Sequence, residues 1–301
     1  MGCGEAGGKV TPVEPGDITT QTTDIVTAIQ VGPTTNPIAG VQKDFFTEVS
    51  LGNVPGYTKV NKFGRNAAVT GATFEVVSLS GLYPTPTTAV SLEFVSSSSA
   101  DALDQAGMHE IQIQGLDANW AHQATTVAAH ATNGQTAVAI PGTWLRVYRA
   151  FVTQSGTYAT SAAGSHVGTI TIRLASAGAT YCLIDSTLFP RGQSETAAYT
   201  IPLGKTAIVT GTRVSVSGVT TTKTTNMIFF QRPLANDVTT SFTGVIREIL
   251  TYTGLTNGQY SRSPSPAWGP FVGPCDLGFL ARVSSGTGEI EAEFDLILID
   301  T

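Results

Sequence analysis

Hydrophobic and polar residues alternate with a period of two along much of the chain. Ser91-Leu-Glu-Phe-Val95, Glu110-Ile-Gln-Ile-Gln114 and Gly168-Thr-Ile-Thr-Ile-Arg-Leu174 each place their apolar side chains on one face. That is the pattern of antiparallel strands with one side buried and the other solvated. Further strands are predicted over Tyr199 to Val209, Arg213 to Ser217 and Met227 to Phe230. Glu289 to Asp300 alternates almost without a fault, and so long an apolar-faced strand belongs inside a sheet, away from its edge.

Turn residues divide these runs. Asn133-Gly134 signals a hairpin, and Leu116-Asp-Ala-Asn-Trp120 a second turn. Ser98 to Gln105 has helical length but is short and Ser-rich, and reads as loop. The prediction is an all-β protein of antiparallel β-sandwich or jelly-roll domains with an extended N-terminal arm. The arm is residues 1–38, rich in Gly, Pro and Thr, with a single strand-like run from Asp24 to Val31. It lacks the apolar surface to fold alone, so a neighbouring subunit is expected to order it. One sandwich spans 39–195 and a second, of six to eight strands, 196–301. The polar break Pro190-Arg-Gly-Gln-Ser-Glu195 divides them.

Composition agrees with sheet. Only 13 % of the 301 residues are charged, about half the usual share, and Gly, Thr and Val are abundant. A surface so poor in charge is weakly defended against association, which points to a homo-oligomer covered by partner subunits. The net charge of −6 argues against direct nucleic-acid binding. No run approaches the length of a membrane span. Cys3, Cys182 and Cys275 fit neither a disulfide framework nor a zinc site, so free thiols are expected.

Catalytic motifs fail one by one. Gly204-Lys205-Thr206 resembles the end of a phosphate-binding loop, but Tyr199 stands where the first Gly is required and a strand pattern follows. His109, His122, His130 and His166 are scattered and read as surface or turn residues. Gly192-Gln-Ser-Glu-Thr196 lacks the second Gly of a serine-hydrolase elbow. Glu289, Glu291, Glu293 and Asp295 share one strand face, the polar side of a sheet whose other face is Ile290, Ala292, Phe294 and Leu296. No enzyme, no cofactor and no metal is expected.

Val60-Asn-Lys-Phe-Gly-Arg-Asn66, Phe94-Val-Ser-Ser-Ser-Ser-Ala-Asp101, Ile113-Gln-Gly-Leu-Asp-Ala-Asn119, Leu145-Arg-Val-Tyr-Arg-Ala150, Val167-Gly-Thr-Ile-Thr-Ile172 and Tyr199-Thr-Ile-Pro-Leu-Gly-Lys-Thr206 resemble, in order and spacing, segments of a family of virion proteins from marine and cyanobacterial tailed phages. The resemblance covers about residues 58–300. It departs at Phe74-Glu-Val-Val77, where the family carries an acidic, tryptophan-containing segment, and at Leu203, so no contact residue is carried over. The resemblance implies a particle component; a product made in the host cytoplasm is expected because MGCGEAGGKV lacks an apolar signal region. Within that, a capsid decoration or cement protein is expected: a trimer on the head surface that binds the major capsid protein where capsomers meet. The alternative is a tail or fibre component that binds a host surface glycan through aromatic loops such as Ser263-Pro-Ser-Pro-Ala-Trp268.

One cluster stands out in an acidic chain: Lys59, Lys62 and Arg65 beside Phe63 and Gly64. It is expected to stitch two layers or to dock on an acidic partner surface, because Arg forks onto carboxylates and Phe anchors beside it. The candidate interface residues are Lys62, Phe63, Arg65, Trp144, Arg146 and Trp268.

Overall fold

The computed structural model describes residues 44–301 apart from 72, 161, 187–190, 219–222, 238, 240–245 and 264–266. The arm expected over 1–38 lies outside the described residues. A six-residue helix, α1 (Phe45–Ser50), comes first. The Asp44 carboxylate caps it by accepting from the Thr47 N–H at 2.8 Å.

Among the described residues seventeen strands follow. They are β1 (Tyr57–Val69), β2 (Glu75–Val76), β3 (Val90–Ser96), β4 (Met108–Leu116), β5 (His122–Ala128) and β6 (Val138–Trp144). Next come β7 (Arg146–Ser155), β8 (Ile170–Leu174), β9 (Thr180–Ile184), β10 (Ala198–Ile201), β11 (Lys205–Ser217) and β12 (Thr225–Arg232). The last are β13 (Arg247–Leu255), β14 (Gly258–Arg262), β15 (Trp268–Val272), β16 (Cys275–Val283) and β17 (Gly288–Asp300). The protein is all-β, as the alternation requires.

The first sandwich faces a four-stranded sheet, β6-β3-β8-β9, with a three-stranded one, β5-β4-β7. Every pairing in it is antiparallel. Leu92, Phe94, Trp144 and Ile172 from one sheet and Ile111, Ile113, Val147 and Ala150 from the other form one buried cluster. The run Thr143 to Arg149 breaks at Leu145. Trp144 ends β6 in one layer and Arg146 begins β7 in the other, so the chain turns a corner between sheets there.

Asn133-Gly134 is not a hairpin turn, because β5 and β6 on either side of it lie in different sheets and do not pair. Gly134 serves a close approach instead: a Cβ there would stand 2.4 Å from the carbonyl oxygens of Ser98 and Asp101. The neighbouring loop is held by buried Asp101, which accepts from the N–H groups of Met108, Val167 and Gly168 at 2.8–2.9 Å. Its other tie is the Ser96 hydroxyl at 2.5 Å.

The second sandwich faces β1-β17-β11-β14, with β15 also on β11, against β10-β16-β12-β13, with β2 on β16. Phe229 of β12 and Phe294 of β17 meet edge-on across the layers at 5.2 Å between centroids. β17 lies between β1 and β11, which gives its backbone groups partners on both sides. Lys205 opens β11 after a turn in which Gly204 has φ +74°, so Gly204-Lys205-Thr206 is a turn entering a strand. β1 and β2 precede the first sandwich in sequence yet pair with strands of the second.

The polar break before residue 196 leaves Arg191 exposed but buries its end, contrary to its composition. Ser194, Glu195 and Thr196 are buried. The N–H of Val152 donates to Gly192 and that of Ser194 to Ala150, at 2.6 and 2.7 Å, so the link first runs along β7. It then bonds the second sandwich, through Leu79 N–H to Glu195 O and Ala197 N–H to Val77 O. Pairing is what allows its backbone groups to be buried, and the two sandwiches share one hydrogen-bonded seam.

Candidate functional site

The basic cluster lies on β1 against this seam. Alternation sends Asn61, Phe63 and Arg65 to the outer face, where Asn61 donates to Glu293 and Asp295 of β17. Lys62 and Gly64 point inward. Gly64 has to be glycine for contact reasons, because a Cβ would stand 2.1 Å from Ala197 N and 2.2 Å from Val77 O.

Lys62 is buried and its ammonium donates to the Tyr148 carbonyl. The partner is explained by a bulge. Gln114 pairs with Arg149 and Gly115 with Val147, which leaves Tyr148 as the extra residue on β7. Burial, and then the Arg149 charge, pull the Lys62 pKa from 10.5 down to about 7. The same burial pushes the neighbouring Cys182 thiol up to about 12, so it is held as an unreactive thiol.

Arg65 is gripped by three carboxylates: Asp185 at 2.7 Å, Glu195 at 2.9 Å and Glu289 at 3.3 Å. They belong to the end of the first sandwich, the link and β17. Burial works against its charge, but the bonds to Glu195, Asp185 and Glu289 outweigh that and hold its pKa above the ordinary value. The acidic surface expected for Arg65 is therefore supplied by its own chain.

A second ionic joint lies deeper. Arg146 of β7 meets Asp276 of β16 through Nε at 3.1 Å and Nη2 at 3.2 Å, with both side chains enclosed. Asp276 also accepts from the Thr200 hydroxyl at 2.5 Å and Arg232 at 3.3 Å. The Trp120 ring covers Arg146 at 4.9 Å, and the Trp120 carbonyl accepts from the Leu203 N–H at 3.0 Å. Tyr83 donates to or accepts from Thr200 at 2.7 Å.

Of the six residues singled out in sequence, Lys62, Arg65, Trp144 and Arg146 are thus interior. They join layers of their own chain and present no face to a partner. Phe63 and Trp268 keep part of their surface. Trp268 lies 6.0 Å from the Phe229 ring and is covered by Arg262 at 5.4 Å, so its ring is already in use. The rest of the loop Ser263 to Trp268 is largely outside the described residues. His166 corrects the expectation of surface histidines: it is fully buried, between the Ser165 hydroxyl at 2.9 Å and the Asp185 carbonyl at 3.0 Å. Burial holds its pKa down. Asp276 escaped sequence reading, although an acid within Cys275-Asp-Leu-Gly-Phe-Leu280 was a signal. A carboxylate in an apolar strand needs a buried partner.

Beside the Arg65 hub a cleft of about 210 Å³ opens on the outer face of the β1-β17-β11-β14 sheet, with Phe63, Arg191, Arg213, Ser215, Gln259 and Glu291 among its lining. Register builds it: Ser215 pairs with Glu291 on one side and Gln259 on the other, and Arg213 with Glu293. Among the described residues no group of three His, Cys, Asp or Glu side chains is placed to hold a metal ion. Likewise, no helix there is long and apolar enough to cross a membrane.

The chain matches no protein-family model and no curated protein. It is similar to a structure of infectious bursal disease virus, Gt strain, at 10 % identity over 88 % of this chain and 75 % of that one, with a TM-score of 0.20. It is also similar to the VP2 subviral particle of infectious bursal disease virus, at 9 % identity over 89 % and 80 %, with a TM-score of 0.19. Superpositions this poor leave the fold to be read from the sheets themselves.

Proposed function

We propose that this protein is a structural component of a phage virion: a decoration or cement protein that sits on the head as a trimer and bridges capsomers of the major capsid protein. The observation that carries the reading is the enclosed Arg146–Asp276 pair between the sandwiches. Relative motion is the default for two domains in one chain. Here the Arg146–Asp276 pair, the Arg65 hub and the bonded link all oppose hinging, which suits a part that transmits force and catalyses nothing. The segments from Val60 to Thr206 that resemble tailed-phage virion proteins support the same reading.

Exposed apolar side chains support this reading. Leu203, Leu234 and Val272 are 59 %, 68 % and 64 % exposed. Their loops are tied together, Gly273 N–H donating to Lys205 O and Ala235 N–H to Pro274 O. Exposed apolar residues gathered on tied loops suit burial against another protein. Quantitative mass spectrometry of purified particles tests the proposal. A copy number near that of the major capsid protein supports cementing; a few per cent of it moves the protein to the tail.

A further inference from the structure

The cleft on the outer sheet face has a lining that neither joint uses up. Among the described residues, Arg191 bonds only Glu195, at 3.1 Å, and Arg213 only Glu293, at 2.6 Å. Each guanidinium has five N–H donors, so both keep most of their fork free, and both side chains are half exposed. Glu291 and Gln259 are exposed with no partner among the described residues, and Ser215 lies between them in the sheet. Phe63 supplies part of one aromatic face. The floor is rigid, because Arg65 and Glu195 are locked in the hub below.

Charge decides what such a cleft takes. Arg65, Arg191 and Arg213 are balanced by Glu195, Glu291 and Glu293. An anion meets the carboxylates and a cation the guanidiniums, and bringing like charges together opposes binding. A neutral ligand meets neither penalty. The free groups alternate between donors, on Arg191, Arg213 and Gln259, and acceptors, on Glu291, Gln259 and Ser215. That is the complement of vicinal hydroxyls, each of which both donates and accepts. A ring with an apolar face also suits Phe63. The volume lies below the roughly 300–1,000 Å³ of pockets for drug-sized molecules, which limits the ligand to about one ring at a time.

We propose that this cleft, built by Phe63, Arg191, Arg213, Ser215, Gln259 and Glu291, binds a neutral saccharide residue, as a monosaccharide or the end of a glycan chain. The site is independent of where in a particle the protein sits. A cement protein with this cleft also holds the virion to sugar-bearing surfaces.

Saturation-transfer NMR on the full chain tests it, with glucose, galactose, mannose, N-acetylglucosamine and N-acetylgalactosamine as probes and glucuronate as the charged control. At least one neutral sugar is expected to receive saturation. Gln259→Ala and Arg213→Ala, both on exposed side chains, are expected to weaken its binding by at least about fivefold each, while the amide spectrum shows the fold unchanged. Three results overturn the proposal: no transfer to any neutral sugar, transfer unaltered in both variants, or stronger transfer to glucuronate than to every neutral probe.

Discussion

Arg146 and Asp276 lie 130 residues apart in sequence and meet with side chains 1 % and 0 % exposed, Nε to Oδ1 at 3.1 Å. Burying both charges removes their hydration, so the pair defines position more than it adds stability. Removing one partner is another matter. Asp276→Ala leaves Arg146 and Arg232 facing each other in the interior and the Thr200 hydroxyl without its acceptor. The expected loss is about 3–5 kcal/mol, read from the midpoint of urea unfolding. Asp276→Asn, which keeps the volume and one acceptor, is expected to lose less.

Lys62 makes stability depend on pH. Its folded pKa is about 7 against 10.5, so between those values the unfolded chain holds a proton that the folded chain lacks. Stability therefore rises with pH across that window. Below pH 7 both states are protonated and the folded state carries the whole cost, on the order of 5 kcal/mol by the size of the shift. Lys62→Met is expected to flatten the unfolding midpoint between pH 7 and 10. An unchanged slope in that variant sinks the assignment.

His166 acts at the acid end. Its depressed pKa means that the unfolded chain takes up a proton first as pH falls below about 6.5, so stability declines with acid. The groups facing it are the Ser165 hydroxyl, the Asp185 carbonyl, and the Asp101 and Asp185 carboxylates. His166→Gln is expected to reduce the decline between pH 6.5 and 5, as followed by thermal unfolding.

Gly64→Ala tests the seam itself. The added Cβ meets backbone atoms of Ala197 and Val77, which cannot rotate away. The expected cost is about 3 kcal/mol, at the upper end for overpacking. Gly52→Ala meets nothing within 4 Å although its φ is +75°, so the same methyl there costs only the backbone strain, about 1–2 kcal/mol.

These effects separate what the sequence disclosed from what it hid. β3, β4, β8 and β17 were legible because one buried face imposes a period of two, and that signal is local. The pairing of β1 with β17 was not, since it joins positions more than 200 residues apart and no local pattern encodes it. Asn133-Gly134 misled because the same dipeptide serves a hairpin or a close backbone approach, and only the neighbouring loop at Asp101 decides. Arg65 and Arg146 were singled out as candidate interface residues, and both lie buried among carboxylates. That their carboxylates belong to the same chain depends on Asp185, Glu195, Glu289 and Asp276 arriving from distant segments. The cleft was invisible for a related reason: it is a row across four strands and the link, with no contiguous motif.

The apolar end gives the sharpest test of the particle reading. Leu203, Leu234 and Val272 contribute little to the core at their exposures, so charges there leave the fold alone. The Lys205–Asp300 pair, which ties β11 to the last strand, stays intact beside them. Leu203→Asp combined with Val272→Asp is expected to change stability by no more than about 0.5 kcal/mol, as for other surface substitutions. Buried against another protein, however, two unpaired carboxylates carry a heavy desolvation cost. Particles assembled with the double variant are therefore expected to lose this chain on sedimentation, while Gly64→Ala, if it folds, stays bound. Retention of the double variant at full copy number places the docking surface elsewhere on the molecule.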